Sequence, residues 1–272
     1  MKTERNKNYL TDWIEKHQSW GKYAFSLEQL RNDFSETSEN ALNQALSRLS
    51  KKGRILSVYK GFYLIITPEY AQRGIRPPIQ FIDDLMNHAG KPYYVGLLSA
   101  AAFYGSAHQQ PQEFFVVTTT KQTTTCEKNL QINYITKKIL PVDFIEKIQT
   151  ESGYVNVSSP HLTAADLVYY SKQIGGIERA CNVLNELSEK LKPEDFSVRF
   201  LNLLSIPTIQ RMGFIFERIL FNNLLAEGIY EEFKKTGKKM FRQPFAPGRK
   251  ATGFPADKKW RIVINAEFEI EE

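Results

Sequence analysis

Asn40, Asn43, Gln44 and Ser47 recur at the three- and four-residue spacings that bring side chains onto one side of a helix. Amides on such a face can pair bidentately with adenine in a major groove, each good pair giving roughly 1–3 kcal/mol of discrimination. Cations follow closely: Arg48, Lys51, Lys52, Arg54 and Lys60 suit phosphates, and the rings of Tyr59 and Tyr63 can lie along a sugar-phosphate backbone. The same run carries Ala41, Leu42, Ala45, Leu46 and Leu49 on its other side, so it can bury one face and offer the other to a duplex. A polar face that is merely solvated is the bland alternative. The order of the neighbouring elements decides between the two.

Other chemistry-bearing residues are sparser. Asp257, Glu267 and Glu269 loosely match the carboxylates that hold a cation in metal-dependent nucleases. Glu267, Glu269 and Glu271 alternate with Phe268 and Ile270, however, which is the pattern of a strand with one wet face, and that reading is preferred. Asp83 and Asp84 suit the first turn of a helix, and Thr163 with Asp166 has capping-box spacing. His88, His108 and His161 show no metal-ligand spacing, and no Walker loop, GxSxG or HExxH occurs. No active site, metal or cofactor is expected. Cys126 and Cys181 lack a CxxC pattern and a neighbouring His, so both are read as buried small apolar residues rather than a disulfide or zinc site.

The net charge of +6 is unevenly spread over the 272 residues. Residues 1–76 hold 13 Lys+Arg against 8 Asp+Glu, 77–232 hold 13 against 17, 233–261 hold 10 against 1, and the last eleven hold only four acids. Two basic regions therefore flank a mildly acidic middle. The second, with KKTGKKMFRQPFAPGRK, interleaves cations with Phe and Met, a composition that fits an RNA, DNA or acidic-protein surface and equally a solvated loop. No window is apolar enough to span a membrane, and MKTERNKNYL lacks the apolar run of a secretory signal, so a cytoplasmic protein without a membrane partner is expected.

The elements that must position the polar face come in a telling order. A helix over about 3–18 is predicted from Tyr9, Leu10, Trp13 and Ile14; Ser26 with Gln29 forms a capping box for a short second helix; Ser35, Thr37 or Ser38 caps a third that Gly53 stops. ILSVYKGFYLII then breaks at Lys60-Gly61 as a hairpin does. Three helices followed by a hairpin is the order of a winged helix-turn-helix. A boundary near 68–78 separates this domain, residues 1–76, from a larger one over 77–272. Helices over Ile79–His88 and Val95–Tyr104, strands in EFFVVTTT, NLQINYIT and GYVNVSS, helices from His161 to Ala226 and a last strand in WRIVINAEFEI make the whole α+β, its second domain a mostly antiparallel sheet with several helices.

Three stretches carry a family resemblance: LSRLSKKGRILSVYKGFYLI, YYVGLLSAAAFYGSAHQQPQEFFVVTTT and VNVSSPHLTAADLVYYSKQIGGIERACNVLNEL. The chain resembles the AbiEi family, the antitoxin halves of AbiE-type (type IV) toxin–antitoxin pairs of bacterial abortive-infection systems. The resemblance implies a transcriptional autorepressor that binds its own promoter DNA through the N-terminal domain. Its C-terminal domain would neutralise a nucleotidyltransferase-like toxin encoded nearby. Only the winged-helix positions carry over residue by residue. A ligand-sensing winged-helix transcription factor is the alternative, and a metal-dependent nuclease a more distant one.

Overall fold

The computed structural model of the chain describes residues 9–67, 70, 76–106, 113–127 and 130–266. The described residues form two compact units. One takes those within Met1–Tyr94, Val116–Leu140 and Lys147–Asn156, the other those within Val95–Phe115, Pro141–Glu146 and Val157–Glu272. The stretch expected to hold a domain boundary, 68–78, lies largely outside the described residues.

The first unit opens with α1 (Tyr9–Ser19), which buries Leu10 and Ile14, one turn apart. A short strand β1 (Ala24–Ser26) leads straight into α2 (Leu27–Asp33), and the capping box anticipated at this junction is formed in both directions. The Ser26 backbone N–H donates to Gln29 Oε1 at 2.8 Å, and the Gln29 N–H donates to Ser26 Oγ at 3.1 Å. Helix α3 (Glu39–Lys51) is capped by Ser38, the third of the three candidate residues, whose hydroxyl accepts the Ala41 N–H at 3.3 Å. After its C-cap Lys52, Gly53 takes φ +67°, the left-handed conformation that favours glycine. Strands β2 (Ile55–Tyr59) and β3 (Phe62–Ile65) pair antiparallel around Lys60-Gly61, and β1 joins them to give the order β1-β3-β2. One core serves all of these elements: Leu10 and Ile14 of α1, Phe25 of β1, Leu30 of α2, Ala45, Leu46 and Leu49 of α3, and Ile55 and Ile65 of the hairpin. Two polar ties fix the helices to one another, Trp13 Nε1 donating to Asp33 Oδ2 at 2.8 Å and Arg31 pairing with Glu39 at 2.6 Å.

Beyond the hairpin come a 3₁₀ turn at Pro78–Gln80, α4 (Ile82–His88), β4 (Tyr93–Val95) and α5 (Leu97–Phe103). Strands β5 (Phe114–Thr118), β6 (Thr125–Glu127), β7 (Leu130–Thr136), β8 (Ile145–Thr150) and β9 (Gly153–Ser158) complete a six-stranded sheet of order β6-β7-β5-β4-β9-β8. The sheet is mixed: β6 and β7 run antiparallel, whereas β4 and β9 run parallel through Val95 and Val157. Val95, Val116, Val117 and Val157 are fully buried, as parallel and central strands require. Asp83 and Asp84 do sit in the first turn of α4, where Asp83 accepts hydrogen bonds from Asn87 and Tyr93.

The second unit is mainly helical. Helix α6 (Pro160–Tyr169) is buried continuously from Leu162 to Val168, followed by α7 (Ile177–Leu187), α8 (Val198–Leu201), α9 (Ile206–Phe214), which runs on as a π-turn, and α10 (Asn223–Lys235). The capping box read at Thr163 and Asp166 is corrected here, because the cap of α6 is Ser159 and both residues are buried inside the helix. Thr163 Oγ1 instead donates back to the Ser158 and Ser159 carbonyls. Two-residue strands β10 (Gln243–Pro244) and β11 (Ile262–Val263) pair in parallel near the end. The strand expected through 270 is therefore described only at Ile262–Val263, residues 267–272 lying outside the described residues.

Candidate nucleic-acid interface

Helix α3 is split cleanly into two faces. Leu42, Leu46 and Leu49 are 2%, 4% and 7% exposed, and truncating a core leucine of this kind typically costs about 2–5 kcal/mol. Asn40, Asn43, Gln44, Ser47, Arg48, Lys51 and Lys52 are all exposed, and none has a side-chain partner among the described residues. Seven donors and acceptors lie ready on one side of a helix whose other side is held in the core. Arg48 and Lys51 fall in the last turn, where a cation also complements the helix dipole.

The hairpin residues divide differently. Lys60 at the tip is exposed, but its backbone carbonyl meets His88 Nε2 at 2.9 Å. Tyr59 is half-buried, edge-on to His88 with ring centroids 6.1 Å apart, and Lys91 Nζ stands 6.0 Å from its ring. Tyr63 stacks on Phe25 at 5.4 Å, so its ring belongs to the N-terminal core. Arg54 pairs with Glu15 at 3.4 Å, tying the start of β2 to α1. The structure thus brings seven of the eleven expected residues together, six on α3 and Lys52 at its C-cap, leaves Lys60 available at the hairpin tip, and gives Arg54, Tyr59 and Tyr63 internal work. His88, considered from sequence only as a metal ligand and rejected, turns out to hold the hairpin tip; a lone His carries no sequence signal for such a contact.

The basic stretch after α10 is partly neutralised within its own unit. Lys234 pairs with Glu231 at 2.5 Å, Lys235 with Glu232, Arg249 with Glu178 at 2.7 Å, and Lys259 with Glu217 at 3.0 Å and Glu227 at 2.9 Å. Burial alone would raise the Glu217 carboxyl, but hydrogen bonds from Lys259 and Trp260 and the nearby cations bring it below its ordinary value. Lys239, Lys250, Lys258 and Arg261 remain exposed without a partner among the described residues. Asp257 accepts the Trp260 backbone N–H at 2.7 Å and pairs with Arg218 at 3.2 Å, while Glu267 and Glu269 lie outside the described residues, as does His108. Among the described residues no group of three or more His, Cys, Asp or Glu is placed to hold a metal. Cys181 is buried, and burial pushes its thiol up to about 12; Cys126 is exposed, which corrects the reading of both as core residues. Cys126 lies on β6, the edge strand of its sheet, where a side chain need not be covered. No helix among the described residues is long and apolar enough to cross a membrane.

Against known proteins, the family model of the AbiEi antitoxin C-terminal domain matches residues 94–218. Residues 94–218 thus carry the AbiEi antitoxin domain. Two of the three stretches that carried the resemblance fall on that matched segment, and the third, over α3 and the hairpin, precedes it. The matched domain is one that antitoxins of toxin–antitoxin pairs carry. Its fold is similar to the crystal structure of the RV2827C protein from Mycobacterium tuberculosis, with a TM-score of 0.71 over 95% of this chain and 91% of that one. Identity between the two is 12%, so the likeness concerns the fold alone. Among curated protein sequences none matches this chain.

Proposed function

We propose that this protein is an autorepressing antitoxin of the AbiEi family. In this reading residues 1–76 form a winged helix-turn-helix that binds double-stranded DNA at its own promoter, and residues 77–272 neutralise a nucleotidyltransferase-like toxin encoded nearby. The observation that carries the DNA reading is the partition of α3, in which a fully used apolar face opposes an amide- and cation-bearing face with no partner among the described residues. Base recognition needs that arrangement, because a side chain already bonded within its own domain has to be released before it can meet a base edge. The three-stranded β1-β3-β2 sheet behind α3 holds the hairpin where a wing would touch the backbone. For the antitoxin role the support is the matched family domain, together with Lys239, Lys250, Lys258 and Arg261 as exposed cations that suit an acidic partner.

A promoter mobility-shift series tests the DNA reading. Asn43→Ala and Gln44→Ala should relax sequence preference by about 1–3 kcal/mol each, whereas Lys51→Ala should weaken every duplex alike and lower the salt slope by about 0.9. Identical behaviour of all three variants would contradict the division of roles. For the antitoxin reading, the full chain carrying Asn43→Ala and Lys51→Ala should still restore growth when co-expressed with the adjacent toxin gene; loss of rescue would place both activities on one surface.

A further inference from the structure

Strand β2 is an edge of its sheet, and along that edge Val58 and Tyr59, together with Lys91 and residues 121–126, surround a cleft of about 500 Å³. All of these residues belong to the first unit. Its chemistry is one-sided. Lys91 and Lys121 bring ammonium groups, Thr123, Thr124 and Thr125 bring hydroxyls, and no carboxylate is among the described residues that line it. Gln122 Oε1 accepts from Lys91 Nζ at 3.0 Å, which leaves Gln122 Nε2 as a buried donor without a partner among the described residues. An unmet buried donor is destabilising, and an acceptor oxygen arriving in the cleft removes that cost. The nearest side-chain partners of the Thr124 and Thr125 hydroxyls, Asn133 and Tyr134, stand at 3.5 Å, the outer limit of a hydrogen bond, so those hydroxyls can turn to a better acceptor.

We infer that this cleft grips backbone phosphates of duplex DNA, so that the contact begun by α3 and the hairpin continues onto Lys91 and the 121–126 loop. The inference rests on the DNA-binding reading of residues 1–76. Donors without a carboxylate select an anion rich in acceptor oxygens, and ammonium groups, hydroxyls and amides are the groups proteins use on phosphates. An enclosing, mainly apolar wall, which pockets for small organic ligands favour, is missing from the described lining, where Val58, the ring of Tyr59 and Cys126 are the apolar members among nine residues. Lys60, the exposed cation of the hairpin tip, directly follows the lining residue Tyr59 in sequence.

The test is fluorescence anisotropy of the full chain over a range of KCl. It uses a labelled duplex from the DNA preceding its own gene and an unrelated duplex of equal length, with ATP and inorganic phosphate titrated separately by calorimetry. Lys121→Gln, a change in an exposed loop, should reduce the slope of log affinity against log salt by about 0.9, and Lys91→Gln with Lys121→Gln by about 1.8. Each lost contact then makes the ratio of wild-type to variant affinity shift about 3.5-fold between 50 and 200 mM salt. Both duplexes should weaken by the same factor, leaving sequence preference unchanged. Wild-type slopes in both variants, with the wild type bound, would overturn the inference while leaving the α3 reading standing. A wild type that binds neither duplex at 50 mM salt overturns both. Saturable ATP binding that the double variant loses, with duplex slopes unaltered, would overturn it by assigning the cleft to a small ligand.

Discussion

Replacing Gly213 by alanine should dislodge the C-terminal segment from the second unit. A Cβ built at Gly213 would stand 2.1, 2.2 and 2.5 Å from three ring atoms of Trp260, where carbon atoms at rest keep about 3.5–4.0 Å. The ring cannot easily retreat. It is fully buried, its Nε1 donates to Glu217 at 2.5 Å, its backbone N–H donates to Asp257 at 2.7 Å, and its carbonyl accepts from Gln210 Nε2 at 2.6 Å. Alanine is the better helix former by about 1 kcal/mol, which works against the clash. Overpacking costs about 1–3 kcal/mol if the ring shifts, and about 3–5 kcal/mol of Trp burial is at stake if it leaves. With the ring held as it is, expulsion is the expected outcome, and the net loss is then about 2–4 kcal/mol, a fall in melting temperature of roughly 5–15 °C at 2–4 °C per kcal/mol. Differential scanning calorimetry reads the shift, and limited proteolysis should show new cutting between Phe241 and Lys259. Because α3 is remote in sequence and belongs to the other unit, operator binding should survive while growth rescue falls. Adding Trp260→Phe should recover part of the lost stability by making room for the new methyl. A Gly213→Ala protein that melts at or above the parent temperature would refute the placement of the Trp260 ring.

Two smaller effects follow from local chemistry. Ser26→Ala removes the acceptor that caps α2 and should cost about 1 kcal/mol in urea denaturation, with Gln29→Ala adding less than its own separate cost because the two side chains form one capping box. Burial, the leading cause for both, holds His17 and His161 below the ordinary His value of 6.5, with the Trp13 carbonyl and Asp195 respectively pulling back upward. A folded-state value below the unfolded one means that the unfolded chain takes up the proton first. Their contribution is therefore fully present above pH 6.5 and is lost as the pH falls below it toward the folded-state values. Melting temperature should be level from pH 8 to 7 and drop toward pH 5, and His161→Gln should shallow that drop; an unchanged profile would show that His161 is not buried as described.

What could be read directly from the chain was local. Ser26 with Gln29, Ser38 before a 13-residue helix, Gly53 after it and the Lys60-Gly61 turn each announce themselves within a few residues, because caps and turns depend on neighbours in sequence. The elements that escaped detection depend on distant partners. Strands β1 and β4 are three residues each and fully buried, too short to show alternation, while β8 carries Glu146, Lys147 and Gln149 as an exposed sheet edge does. The parallel pairing of β4 with β9 joins Val95 to Val157 across a long insertion and leaves no local mark. At the candidate interface the same division holds. The polar face of α3 was legible from spacing alone, but the pairing of Arg54 with Glu15, the stacking of Tyr63 on Phe25 and the grip of His88 on the hairpin tip are tertiary contacts. The Thr163 and Asp166 spacing misled because Ser159, four residues earlier, offered the better cap ahead of Pro160.

The most direct measurement places a cleaving group on α3 itself. With the exposed Cys126 changed to Ser and the buried Cys181 left in place, Ser47→Cys takes an iron chelate on the polar face without disturbing Leu46 or Leu49 beneath it. Bound to promoter DNA, the protein should cut within a few base pairs at one fixed position in each site, and Asn43→Ala with Gln44→Ala should blur those positions. Complexes that form normally yet show no cutting above that of the unlabelled protein would mean that α3 does not lie in the groove, and the account of this helix would be wrong.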